Sequence, residues 1–265
     1  MGLEELNTAE KGFFDENGRC IPCQINAPVH QETRRYFICE QPVIDYAEIY
    51  TRLDSYLDLN SIISAEEFEH RAQAILKNLA DNHKSKNIIK GVGVPFILPK
   101  AAYTDLGQAF EKIYLNAIER AYQDEFPNYD FTNHFQGNLA ENMQITPNSR
   151  HEQLLKAMEG NAVVGYYFPC LSEYSIPAVI EQVNQLPPEF LLAGGFDTAA
   201  AIIGSPSLLQ RAEGYPPMLW LSGLSNKNNH IEYHFEAYGY NLTFNRRPHL
   251  EQVAEYWSSA LVVLG

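Results

Sequence analysis

Apolar positions in this chain recur at helical spacing in several long stretches, alternate strictly in one, and form short unbroken runs in others. Each pattern predicts a different element. The patterns agree best between residues 162 and 209. Val163, Val164, Tyr166, Tyr167 and Phe168 make a β-branched and aromatic run of the kind found in strands buried on both faces, and Pro169 ends it. Ser175 ahead of Pro177 is a helix start, with Ile176, Val179, Ile180 and Val183 on one stripe behind it. Leu186-Pro187-Pro188 closes that helix, and Phe190 to Ala193 reads as a second short buried strand. Gly194-Gly195 permits a tight turn into a small-residue helix, Ala199 to Ile203, for which Asp197 and Thr198 are both N-cap candidates. This strand-helix-strand-helix order, with short connections, predicts two neighbouring parallel strands bridged by a right-handed crossover.

The flanking sequence is read in the same way. The N-terminal segment from 11 to 41 has a turn signal at Asp15-Glu16-Asn17-Gly18, with strand candidates at Arg19 to Ile25 and Arg35 to Cys39. Two amphipathic helices follow. One carries Ile44, Ala47, Tyr50, Leu53 and Leu57; the other opens at Ser64 with Glu67 three residues on and carries Phe68, Ala72, Ile75 and Leu79. Gly91 to Pro99 is an apolar crossing segment whose two glycines also suit a ligand wall. Leu106, Phe110, Ile113, Tyr114, Ala117, Ile118 and Ala121 form the longest helical stripe. Phe126 to Pro147 has no period and reads as a connecting loop. Pro217 to Leu221 predicts another buried strand, His230 to Ala237 an alternating one, and Gly239 a turn into a hairpin partner at 240–244. After Pro248, the positions Leu250, Val253, Ala254, Trp257 and Leu261 predict a last helix.

The fold class expected is therefore α/β: a mixed sheet with parallel central strands and an antiparallel edge hairpin, flanked by helices. Residues 1–147 form a mainly helical part with a small β-rich opening, and 148–265 an α/β part, either separately or as one continuous domain.

Composition narrows the functional classes. With 19 Lys+Arg against 33 Asp+Glu, the net charge is −14. Such a chain repels phosphate backbones, so nucleic acid is not an expected partner. No apolar run reaches membrane-spanning length, and the first residues lack a signal-peptide pattern, so a cytoplasmic protein without membrane insertion is expected. In that compartment the four cysteines are reduced thiols or metal ligands.

Three constellations carry candidate chemistry. Cys20, Cys23, His30 and Cys39 offer four ligands for zinc, though the spacing matches no standard site and the ordinary alternative is small apolar cysteines buried on hairpin strands. Gly194, Gly195, Asp197 and Thr198 sit where a strand meets a helix, which suits an anion cradle or a plain glycine turn. Cys170 follows a strand and precedes a helix start, so a neighbouring His230 or His234 would activate it as a nucleophile. His230, Glu232 and His234 also share one strand face, either as metal ligands or as the solvated side of a sheet edge.

None of these is a complete catalytic motif. The sequence is read as a non-catalytic adaptor or scaffold subunit of a bacterial assembly, with its 16 tyrosines and 14 phenylalanines as contact material for protein partners. A cysteine-based or metal-assisted hydrolase or transferase is the alternative.

Overall fold

The computed structural model describes residues 12–59, 63–135, 137–228 and 231–265. In chain order, helix α1 (Tyr46–Leu57) starts at Asp45, whose carboxylate accepts from Glu48 N, and α2 (Ala65–Asp81) starts at Ser64, whose hydroxyl accepts from Glu67 N. Strand β1 (Val94–Leu98) follows, then α3 (Leu106–Ala109) and α4 (Asn116–Glu125), joined through a π-helical turn at Phe110–Leu115. Next come β2 (Phe131–Asn133), β3 (Met143–Ile145), α5 (Glu152–Gly160), β4 (Val163–Ser172) and α6 (Ile176–Gln185). Ser175 caps α6 by accepting from Ala178 N, with Pro177 in the first turn. The chain continues through β5 (Leu191–Leu192), α7 (Gly195–Gly204), β6 (Met218–Trp220), β7 (Leu224–Asn226), β8 (Glu232–Tyr238), β9 (Asn241–Arg247) and β10 (Trp257–Leu264).

The sheet is mixed and flanked by helices, an α/β architecture. Its order is β1-β4-β10-β6-β8-β9-β2, with β5 also paired to β10, while β3 and β7 form a separate antiparallel ladder. Parallel pairing occurs in the middle, between β10 and β6, and at the far edge, between β2 and β9. Strands from 1–147 and from 148–265 thus share one sheet, and one hydrophobic cluster runs from Phe14 to Val263. Within it Phe110, from the π-helical turn, packs its ring against Phe196 on α7 and Phe235 and Phe244 on the hairpin.

Two expectations are corrected. The strands expected to be neighbours, β4 and β5, point the same way but do not touch. Strand β10 runs antiparallel to both and lies between them, with Leu261 opposite Phe168 on one side and Leu192 on the other. The inserted strand is the segment expected to be the last helix. Trp257 to Val263 are all buried, and a segment buried on both faces satisfies helical spacing by accident. Its Ala-Leu-Val-Val-Leu run is better suited to a strand, because β-branched side chains fit a pleated surface. Residues 248–256 form turns, with His249 at φ 66°.

The opening segment departs from the strand expectation as well. It makes only isolated bridges, Phe14 with Cys20, Val29 with Tyr174 and Phe37 with Tyr215, so it lies as a strap across the end of the sheet. Glu173 fastens this strap. Its buried carboxylate bonds Thr33 and His30, and its backbone carbonyl accepts from His30 N at 3.0 Å. Among the described residues no helix is long and apolar enough to cross a membrane.

Candidate functional site

The glycine turn before α7 is closed to ligands. Gly194, Gly195, Asp197 and Thr198 are all buried, and the helix-start donors are already used: Asp197 Oδ1 accepts from Gly194 N at 2.8 Å and from Thr198 N at 3.0 Å. A carboxylate from the helix itself occupies the place an external anion would take. The glycines are there for packing, since a Cβ on Gly194 would stand 2.5 Å from the His151 ring. His151 donates from Nδ1 to the Leu192 carbonyl at 3.2 Å, a contact that fixes its tautomer, and the same nitrogen lies 3.9 Å from Asp197 Oδ2. Burial pushes the Asp197 acid above its ordinary value, partly offset by His151 and the helix-start N–H groups. Residues 194–198 and His151 therefore form a buried polar joint.

The cysteines are dispersed. Cys20 is buried, and its backbone N–H and carbonyl bond Cys170 O and the Tyr174 hydroxyl. Cys23 is exposed beside α6, where its N–H donates to Gln182 Oε1; His30 is engaged by Glu173; Cys39 is buried near Arg211. The structure does not bring the four zinc candidates together: among the described residues no three His, Cys, Asp or Glu side chains are gathered to hold a metal ion. Four ligands close in sequence lie apart because the segment carrying them is an extended strap.

Cys170 sits on β4 with its thiol buried, and desolvation holds it well above the ordinary thiol range. The charges acting on it are Cys20 and Asp15, neither of which stabilises a thiolate. The environment favours a protonated packing thiol, the opposite of what a nucleophile needs.

His230 lies outside the described residues. Glu232 and His234 share a face of β8, as the alternation requires, but that face is not solvated. Glu232 is 4% exposed and His234 1%. His234 packs against a second, smaller apolar cluster formed by Ile176, Met218, Trp220, Leu250 and Trp257, its ring 5.1 Å from that of Trp220. Glu232 Oε2 and His234 Nδ1 have no hydrogen-bond partner, while His234 Nε2 lies 3.7 Å from Glu236. Burial pushes the Glu232 acid well up and the His234 imidazole down, the latter partly offset by Glu236, so burial favours the neutral form of each. Alternation told the two faces of β8 apart; it did not tell which one met water.

What the fold does gather is aromatic surface. Tyr36, Tyr215 and Tyr238 are 61%, 71% and 84% exposed, and Tyr240 38%. Phe37 links two elements here, its ring 6.1 Å from Tyr215 and 5.8 Å from Tyr256. Arg211 ties the same patch together by donating to the carbonyls of Tyr36 and Tyr215 and pairing with Glu40 at 3.3 Å. A groove of about 280 Å³ runs beside it, between Arg211, Tyr215 and Pro216 on one wall and Ala237, Gly239 and Tyr240 on the other. The Gly239-Tyr240 turn has φ 57° and 70°, the type I′ geometry of a two-residue hairpin. It is held in place by the Tyr122 hydroxyl, which donates to Tyr240 O at 2.5 Å, and by Tyr240 stacking on Tyr129 at 5.3 Å. Residues 36, 215 and 240 are too far apart in sequence for any local pattern to reveal this grouping; tyrosine abundance was the only signal. Comparisons with protein families, curated proteins and solved structures gave no match for this chain.

Proposed function

We propose that this protein is an adaptor or scaffold subunit that docks a protein partner on the tyrosine face around Arg211. The single observation behind this reading is that exposed aromatic side chains from three distant parts of the chain converge beside one groove. Tyrosine gives large contact area with a polar end and little rotamer entropy to lose, and tyrosine and arginine are both enriched among the residues that carry the energy of protein contacts. The groove is anchored on both walls by side-chain hydrogen bonds to backbone carbonyls, so docking needs little rearrangement. Glu40 and Glu213 stand exposed at this face, and the whole chain carries −14, which suits a partner with a basic contact surface.

The test is affinity co-purification from the native host with the wild-type chain and a Tyr36→Ser/Tyr215→Ser/Tyr238→Ser variant, read by quantitative mass spectrometry. These side chains project into solvent, so the variant folds. A basic protein retained by the wild type and lost by the variant supports the reading. Equal recovery of every bound protein by both chains overturns it.

A further inference from the structure

A separate cavity lies under the strap and against β4, with a volume of about 540 Å³. That is within the range of small-molecule sites, roughly 300–1,000 Å³. Its lining has an unusual charge. Arg19, Arg35 and Lys90 contribute to it, and among the described residues no Asp or Glu does. In a chain with 33 acids and 19 bases, a concave surface carrying cations alone departs from the average charge. A second cavity of about 530 Å³ shows the contrast, mixing Glu67 and Glu189 with Arg71.

The cations are also unspent. None of the three forms a salt bridge among the described residues. Arg19 is only 6% exposed, and its guanidinium is held by the carbonyls of His30, Gln31 and Ser172 and by the Tyr174 ring, 5.3 Å away. Three of its five N–H groups are thus used on neutral acceptors, which leaves its charge uncancelled. Asn17, Gln41 and Ser172 also line the cavity, and its apolar wall is led by the stacked rings of Tyr166 and Phe168 with Ile44 and Leu76.

The cavity is built on fixed backbone. Gln41 accepts from Gly93 N at 2.9 Å and donates to Gly93 O at 3.0 Å, so one side chain pins the Gly91-Val92-Gly93 edge. Gly18, at φ 83°, lies so close to this edge that a Cβ would come within 2.4 Å of Gly91 N.

We infer that this cavity binds a small molecule with an apolar body and an anionic head, the body against Tyr166 and Phe168 and the head toward Arg19, Arg35 and Lys90. A cation is stabilised most by an anion it can bond directly, whereas a cationic head is repelled by three like charges. The inference stands on the cavity alone and is independent of the tyrosine face.

The test is isothermal titration calorimetry of the full chain with three probes that share one tail: decanoate, decyl phosphate and decyltrimethylammonium. The expected result is saturable one-to-one binding of an anionic probe and none of the cation; a preference between carboxylate and phosphate identifies the head group. The Arg35→Gln/Lys90→Gln variant, altered only at exposed side chains, should keep its unfolding midpoint and lose at least about tenfold in affinity for the anion. The inference fails if the cation binds as well as the anions, if no probe binds, or if the double variant binds the anion with wild-type affinity.

Discussion

Replacing Glu232 by Gln removes the ability of that side chain to ionise while keeping its shape. Glu232 is buried with Oε2 unpartnered, and burial raises its acid well above the ordinary value of 4.5. The unfolded chain ionises this group near the ordinary value; the folded chain does not until a higher pH. Between the two, the folded state holds one more proton than the unfolded state, so the contribution of Glu232 to stability is fully present below the ordinary value and is lost as pH rises toward the folded one. The slope is about 1.4 kcal/mol per pH unit. Glutamine cannot titrate. Below the ordinary glutamate value the difference between wild type and Glu232→Gln is therefore constant, set by the cost of burying an amide N–H₂, about 1–3 kcal/mol against the variant. Above it the difference shifts steadily in favour of the variant with the slope just given. His234, whose imidazole burial lowers, has the opposite dependence, its contribution being lost as pH falls below 6.5, but it is present in both chains and cancels in the difference. Guanidinium unfolding of both proteins at half-unit steps from about pH 4 to 8 measures this directly. A wild-type-minus-variant difference that stays level across that range would refute the burial argument.

The other predictions follow from single contacts. Native-state alkylation should label Cys23 rapidly and leave Cys20, Cys39 and Cys170 unmodified until the chain is unfolded, because only Cys23 is exposed; peptide mapping that finds Cys170 labelled as fast as Cys23 would contradict the protonated, buried thiol. Gly18→Ala should destabilise by about 2–4 kcal/mol in denaturant, since it combines a left-handed φ of 83° with a Cβ approach of 2.4 Å to backbone. Arg150 donates to the carbonyls of Leu186, Pro187 and Phe190 at 3.0, 2.6 and 3.1 Å, tying the α6–β5 connection to α5. Arg150→Met, which keeps the stem and removes the donors, should cost about 2–3 kcal/mol by the same assay, and an unchanged midpoint would mean water replaces those bonds.

Local chemistry was legible where one residue decides an element. Ser64 and Ser175 cap the helices expected of them, Pro177 lies in a first turn, and the Gly239 turn joins the expected hairpin. Pairing partners were not legible. Nothing near Val163 or Phe190 indicates that Trp257 to Leu264 will separate them, because strand adjacency is decided by contacts between residues far apart in sequence. Burial of polar residues was equally hidden: Glu232 and His234 read as a wet face because their own strand alternates, yet both are buried, His234 against Trp220 in a cluster drawn from residues far away in sequence. The cation-lined cavity was partly foreshadowed, since Gly91 and Gly93 suited a ligand wall, but Arg19, Arg35 and Lys90 come together only once the strap is laid across β4.

The placement of β10 has a consequence for how the molecule assembles. Its partners β4, β5 and β6 are all made earlier in the chain, and they meet only through it. During synthesis, the edges of β4 and β6 that pair with β10 therefore have no partner strand until residues 257–264 have been made. Contacts of such long sequence separation slow folding and prolong the exposure of strand edges to other chains. Shortening this one strand would be felt across the whole sheet at once, on both sides of the seam.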